Sequence, residues 1–127
     1  MEQELVELIL SEDEITDIID DRIFPHGQSP QDTALPCLVY QVSGIYRPVV
    51  LGGQSVDLVQ YQVSITGMTK DENDLRDLMD ALETLLHNHT SGNLKSITVQ
   101  EIASNPNPDD PETFSETHSY SVWFDRG

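Results

Sequence analysis

The sequence predicts an α+β fold, a mixed β-sheet of about four strands in the order α-α-β-β-α-β-β, with the principal helix packed on one face. Three observations predict it. Val59, Tyr61, Val63 and Ile65 alternate with Gln60, Gln62, Ser64 and Thr66, the period of two of a half-buried strand. Leu75, Leu78, Met79, Leu82, Leu85 and Leu86 recur at steps of three and four, which lines them along one side of a helix. Strand-like stretches before and after that helix supply two hairpins, and a helix between two hairpins lies across their sheet.

The elements follow in order. Leu5, Leu8 and Ile9 share one face of a helix from Glu2 to Leu10. Ser11 followed by Glu14 reads as a capping box opening a second short helix, striped by Ile15, Ile18 and Ile19. From Asp20 to Gly27 the chain leaves the helix and turns, and the stretch on to Pro36 is irregular. Leu35 to Ser43 is the first strand, apolar on both faces and so expected inside the sheet. Gly44 to Ser55 is a connection too long for a tight hairpin, and Val56 to Thr66 is the second strand. Thr69 and Glu72 read as the capping box of the principal helix, which Asn88 and Gly92 end. Lys95 to Ser104 is a third strand, and Asn105 to Pro111 is a loop. The last strand runs from Glu116 to Asp125, with His118, Tyr120, Val122 and Phe124 on one face. No internal repeat or composition shift divides the chain, so residues 1–127 are expected to form a single domain.

Charge narrows the partners. Six Lys and Arg against 23 Asp and Glu give a net charge of −17. Nucleic-acid binding draws on basic side chains that displace counterions from phosphates, and this mean field repels DNA, RNA and anionic membranes. The acidity reads either as solubility in salty surroundings or as a surface that lets a polyanion pass without sticking. No stretch reaches the length of a membrane span, and Met1-Glu2-Gln3-Glu4 lacks the basic start of a secretory signal. One cysteine, Cys37, excludes an internal disulfide framework and fits assembly in a reducing cytoplasm.

Catalytic chemistry is not legible. Cys37 follows a proline inside an apolar strand and reads as a buried structural thiol. His87 and His89 stand two apart, where helical metal ligands want three or four. His118 alternates with Tyr120 and Val122 and reads as a sheet-face histidine, and His26 has no identifiable partner. Gly52-Gly53-Gln54-Ser55 lacks the lysine of a phosphate loop, and Asp20-Asp21 and Asp109-Asp110 lack the spacing of a calcium loop. We expect no enzyme, no metal and no cofactor.

Three features point to assembly instead. Ile45, Tyr46, Arg47, Val49, Val50 and Leu51 form an apolar segment where a surface connection is expected, which marks either a contact with another chain or an extension of the two strands it joins. The proline-rich loop from Ser104 to Ser115 is a second candidate contact, and it carries Phe114 just before the last strand. Trp123 falls on the face opposite Tyr120 and Val122, where it covers a second layer or a partner.

The run Asp21-Arg22-Ile23-Phe24-Pro25, then Leu35-Pro36-Cys37-Leu38-Val39-Tyr40-Gln41, resembles the tail completion proteins of long-tailed phages, relatives of the lambda-like tail terminators. Tyr61 to Ile65, the helix from Asp71 to Leu86 and Tyr120-Ser121-Val122-Trp123-Phe124 extend the resemblance over nearly the whole chain. Cys37, where an aromatic is more usual, and the high acidity depart from it. The resemblance implies a virion protein assembled in the host cytoplasm: a ring, usually of six copies, at the head-proximal end of the tail. There it would stop polymerisation of the tail tube protein and meet the head–tail connector or stopper protein. DNA would cross the ring without specific binding, and a negative lumen would serve as a non-stick lining. A closed ring needs two different patches per subunit, and the segment from Ile45 to Leu51 is the candidate for one of them or for the tube contact. Two other readings remain: a neck stopper or head-completion ring protein, and a cytoplasmic ferredoxin-like domain binding a small ligand.

Overall fold

Leu5 and Ile9, one helical turn apart, are buried at one end of a core that also takes Ile15 and Ile19. A computed structural model describes residues 1–25, 36–46, 58–92, 94–104 and 114–125. Its elements are helix α1 (Glu2–Leu10), helix α2 (Asp13–Ile19), strands β1 (Ile23–Pro25), β2 (Cys37–Tyr46) and β3 (Leu58–Thr69), helix α3 (Glu72–Leu86), and strands β4 (Leu94–Ser104) and β5 (Phe114–Asp125). The α+β class and the placing of the principal helix are as the sequence predicts. The sheet has five strands, not about four, in the order β1-β2-β3-β5-β4.

The additional strand, β1, is only three residues long, too short to show a period. It pairs parallel with β2, setting Ile23 opposite Leu38 and Pro25 opposite Tyr40. Pro25 is tolerated there because β1 is an edge strand. The other pairings are antiparallel. β3 and β5 match over their whole lengths, from Leu58 opposite Asp125 to Thr69 opposite Phe114. The expected connection from Gly44 begins as strand, since Gly44, Ile45 and Tyr46 continue β2 past a register shift between Val42 and Gly44.

Neither predicted capping box forms. α2 is capped by Glu12, whose carboxylate accepts from the Glu14 N–H, while Ser11 closes α1. Asp71 caps α3 and accepts from the Asn73 N–H at 2.8 Å, while Thr69 instead donates its hydroxyl to the Asp71 carbonyl at 2.6 Å. An acidic residue immediately before the helix satisfies the same orphan donors and puts a negative charge at the helix start. Asn88 takes the left-handed conformation after α3, with φ 64°, and its N–H donates to the Ile97 carbonyl. Gly92, with φ 52°, serves the tight turn into β4 and not the helix end.

The core lies between one sheet face and the three helices. Leu78, Met79, Leu82 and Leu86 of α3 meet Leu38, Val63, Ile65, Ile97, Tyr120 and Val122 from the sheet. Fully burying each such side chain stabilises the fold by roughly 1.5–3 kcal/mol. Tyr61 and Phe124 pack edge to face, ring centroids 6.4 Å apart. Gly67 lies under α3: a side chain there would begin 2.5 Å from the Met79 sulfur.

Candidate assembly surface

Ile45 and Trp123 come to the same end of the sheet, because Ile45 pairs with Tyr61 in β3 and Trp123 with the neighbouring Gln60. They stand on opposite faces. Residues paired across strands share a face, so Ile45 goes with Tyr61 and Val122 on the helix side, and Trp123 goes with Gln60 on the other. Ile45 is 58% exposed and lines an open depression with Met1, Val42 and Tyr61, beside the start of α1. Phe114, 38% exposed, is the first residue of β5 and sits at the opposite end of the sheet, across from Thr69. Tyr46 ends β2, and Arg47, Val49, Val50 and Leu51 lie outside the described residues. The structure thus brings three of the expected contact residues, Ile45, Tyr46 and Trp123, to one end of the sheet and sets Phe114 at the other.

One exposed apolar residue went unread in the sequence. Ile102 of β4 is 48% exposed although it lies opposite His118 on the helix-side face. The sequence did hold a signal for it: Leu94, Ile97, Val99 and Ile102 step by three, two and three, which marks an extra residue at each of the two register shifts in β4.

The described histidines, His87, His89 and His118, have structural partners, and His26 lies outside the described residues. His118, 1% exposed, places Nδ1 2.9 Å from the Tyr120 hydroxyl and Nε2 2.9 Å from a Glu116 carboxylate oxygen. The carboxylate accepts, so Nε2 carries a proton, and in the neutral ring Nδ1 accepts from Tyr120. His87 Nδ1 accepts from the Val99 N–H, and His89 shares a hydrogen bond with Ser91. Cys37 is buried, and that burial raises the pKa of its thiol although the nearby Arg22 guanidinium opposes the shift. Among the described residues no group of three or more His, Cys, Asp and Glu side chains is placed to hold a metal ion, and no helix is long and apolar enough to cross a membrane.

Charge is unevenly shared between the layers. α1 and α2 carry three acidic residues each and α3 carries five, against one base, Arg76. The opposite, helix-free face of the sheet is made of Gln60, Gln62, Ser64, Thr66 and Met68 of β3 and their neighbours. Two pairs of its polar groups bond across strands: Gln60 donates to the Ser121 hydroxyl at 2.6 Å, and the Thr66 and Thr117 hydroxyls are 2.8 Å apart.

Comparison with known proteins agrees with this architecture. A chain of the virion of a native gene transfer agent particle superposes with a TM-score of 0.70 at 6% identity, over 95% of this chain and 91% of that one. Two crystal structures from Akkermansia muciniphila match with TM-scores of 0.38 and 0.35, at 14% and 15% identity, over 70% and 68% of this chain and 42% and 47% of theirs. No curated protein matches the sequence. Residues 3–125 match the family described as tail completion protein gp17. With that match spanning nearly its whole length, the chain belongs to the tail completion protein gp17 family, a family of phage tail structural proteins.

Proposed function

We propose that this protein closes the head-proximal end of a phage tail as a ring of identical copies, which stops the tail tube from growing and presents a surface to the head connector. The observation that carries the reading is the family match over residues 3–125. The fold shared with a chain of a gene transfer agent virion supports a place in the particle. A ring needs two unlike patches on each copy. Ile45 and Trp123, at one end of the sheet but on opposite faces, supply candidates for both, with Phe114 at the far end and the segment from Arg47 to Leu51 as further contacts. The acidic helical layer supports the reading of a negative channel wall along which DNA slides.

The test uses the purified protein and polymerising tail tube protein. Light scattering is expected to give the mass of a ring, about six chains, and addition to growing tubes is expected to cap them at one end in electron micrographs. Val49→Ser with Val50→Ser and Leu51→Ser is expected to weaken assembly or capping while the chain stays folded. A single chain at high concentration, indifferent to tubes, overturns the proposal.

A further inference from the structure

Two copies of a chain carrying −17 charges repel each other unless they meet where charge is scarce. The helical layer is the wrong place, with its eleven acids in α1, α2 and α3 against the single Arg76. The edges of the sheet are also poorly suited. β4, one outer strand, shifts register twice, and β2 shifts register beyond the reach of β1. Such bulges twist an edge away from pairing with another strand.

The helix-free face of the sheet differs from both. Along β3 it presents the even positions from Gln60 to Met68, and along β5 the odd positions from Ser115 to Trp123, none of them charged. β2 adds Val39 and Gln41, also uncharged. Among the described residues the acids on this face are Glu101, on the outer strand β4, and Asp125, at the end of β5. Its size is right. Four strands of 10, 12, 11 and 12 residues, spaced about 4.8 Å apart with about 3.3 Å per residue, span roughly 600 Å², close to the ~800 Å² that each partner buries in a stable interface. Drying the face also costs less where Gln60 bonds Ser121 and Thr66 bonds Thr117, since those hydroxyls already have a partner.

We infer that this charge-poor sheet face is one of the two unlike patches by which one copy of the chain packs against the next. A cationic partner would gain most on the acidic helices; a like-charged copy is the partner for which a charge-poor face is required, since like charges set against each other at an interface cost several kcal/mol. The inference deepens the ring reading and rests on it.

Trp123, the single tryptophan, reports on this face directly. In the assembled protein its emission is expected to be blue-shifted and shielded from acrylamide, and both effects are lost on dilution to single chains. Ser64→Glu with Ser119→Glu, a cross-strand pair in the middle of the face, is expected to reduce the mass by light scattering to one chain while the far-ultraviolet circular dichroism is kept. Ser64→Ala with Ser119→Ala is expected to keep the assembled mass. If the wild type assembles but the glutamate pair assembles equally well, or Trp123 shows the same emission and quenching at every concentration, the inference fails and the ring reading stands. If the wild type is a single chain throughout, the ring reading fails and the inference with it. Should the glutamate pair not fold, the tryptophan measurement on the wild type decides.

Discussion

His118 and Tyr120 hold each other on the inward face of β5: Nδ1 of the ring lies 2.9 Å from the phenol oxygen, and both residues are 1% exposed. Tyr120→Phe removes that hydroxyl and leaves a buried ring nitrogen without its partner. The expected loss is about 1–3 kcal/mol in urea unfolding. Burial, with Glu83 and Glu116 adding to it, raises the Tyr120 pKa far above its ordinary value of 10.0. The fold therefore favours the protonated phenol. That contribution is fully present below pH ~10, where the unfolded chain keeps its phenol protonated too, and is lost as the pH climbs further. Stability measured from pH 9 to 12 should fall, and Tyr120→Phe should flatten the decline; an unchanged slope would show that Tyr120 does not drive it.

Gly67 permits the close approach of α3. A methyl group there meets the Met79 sulfur at 2.5 Å and leaves 3.4 Å to Leu78, with no positive φ involved. Because the thioether is flexible, Gly67→Ala is expected to cost about 1 kcal/mol, and the bulkier Gly67→Val about 1–3 kcal/mol. Met79→Ala combined with Gly67→Val should recover part of the loss, a coupling that thermal unfolding of the single and double variants measures. Simple additivity would place the strain elsewhere.

Cys37 is 1% exposed and its thiol is held in the protonated form by burial. Labelling with a thiol reagent at pH 8 should proceed only as fast as the protein unfolds, and rapidly in denaturant. Cys37→Ser should destabilise by about 1–3 kcal/mol, because it takes a hydroxyl out of water into a buried position. Fast labelling of the native protein would mean that this end of β2 opens locally.

Periodic elements were the legible ones. The stripe from Leu75 to Leu86 and the alternation from Val59 to Ile65 repeat often enough to identify α3 and β3 in the sequence. β1 offers three residues and no repeat, so it could not be read. The caps were misplaced because Ser11 and Thr69 match the capping-box spacing while Glu12 and Asp71, each beside the helix, take the role. The same three-residue steps that reveal bulges in β4 also occur in β2, where Leu38, Tyr40 and Val42 are followed by Ile45. The strand order was beyond reach, since the pairing of β3 with β5 joins segments more than forty residues apart. The assembly surface was legible only as single residues: Trp123 could be assigned to the face opposite Tyr120, but the charge-poor sheet around it emerges only when β5 is laid against β3 and β4.

That pairing also sets the timetable of synthesis. β5 leaves the ribosome after the other four described strands, yet it lies between β3 and β4, bonded to both. Until it arrives, β3 has β2 alone beside it and β4 has no neighbour in the sheet, so the nascent chain cannot complete its core. A message cut short before β5 would yield a polypeptide left to chaperones and proteases, and so would keep half-made subunits out of the particle.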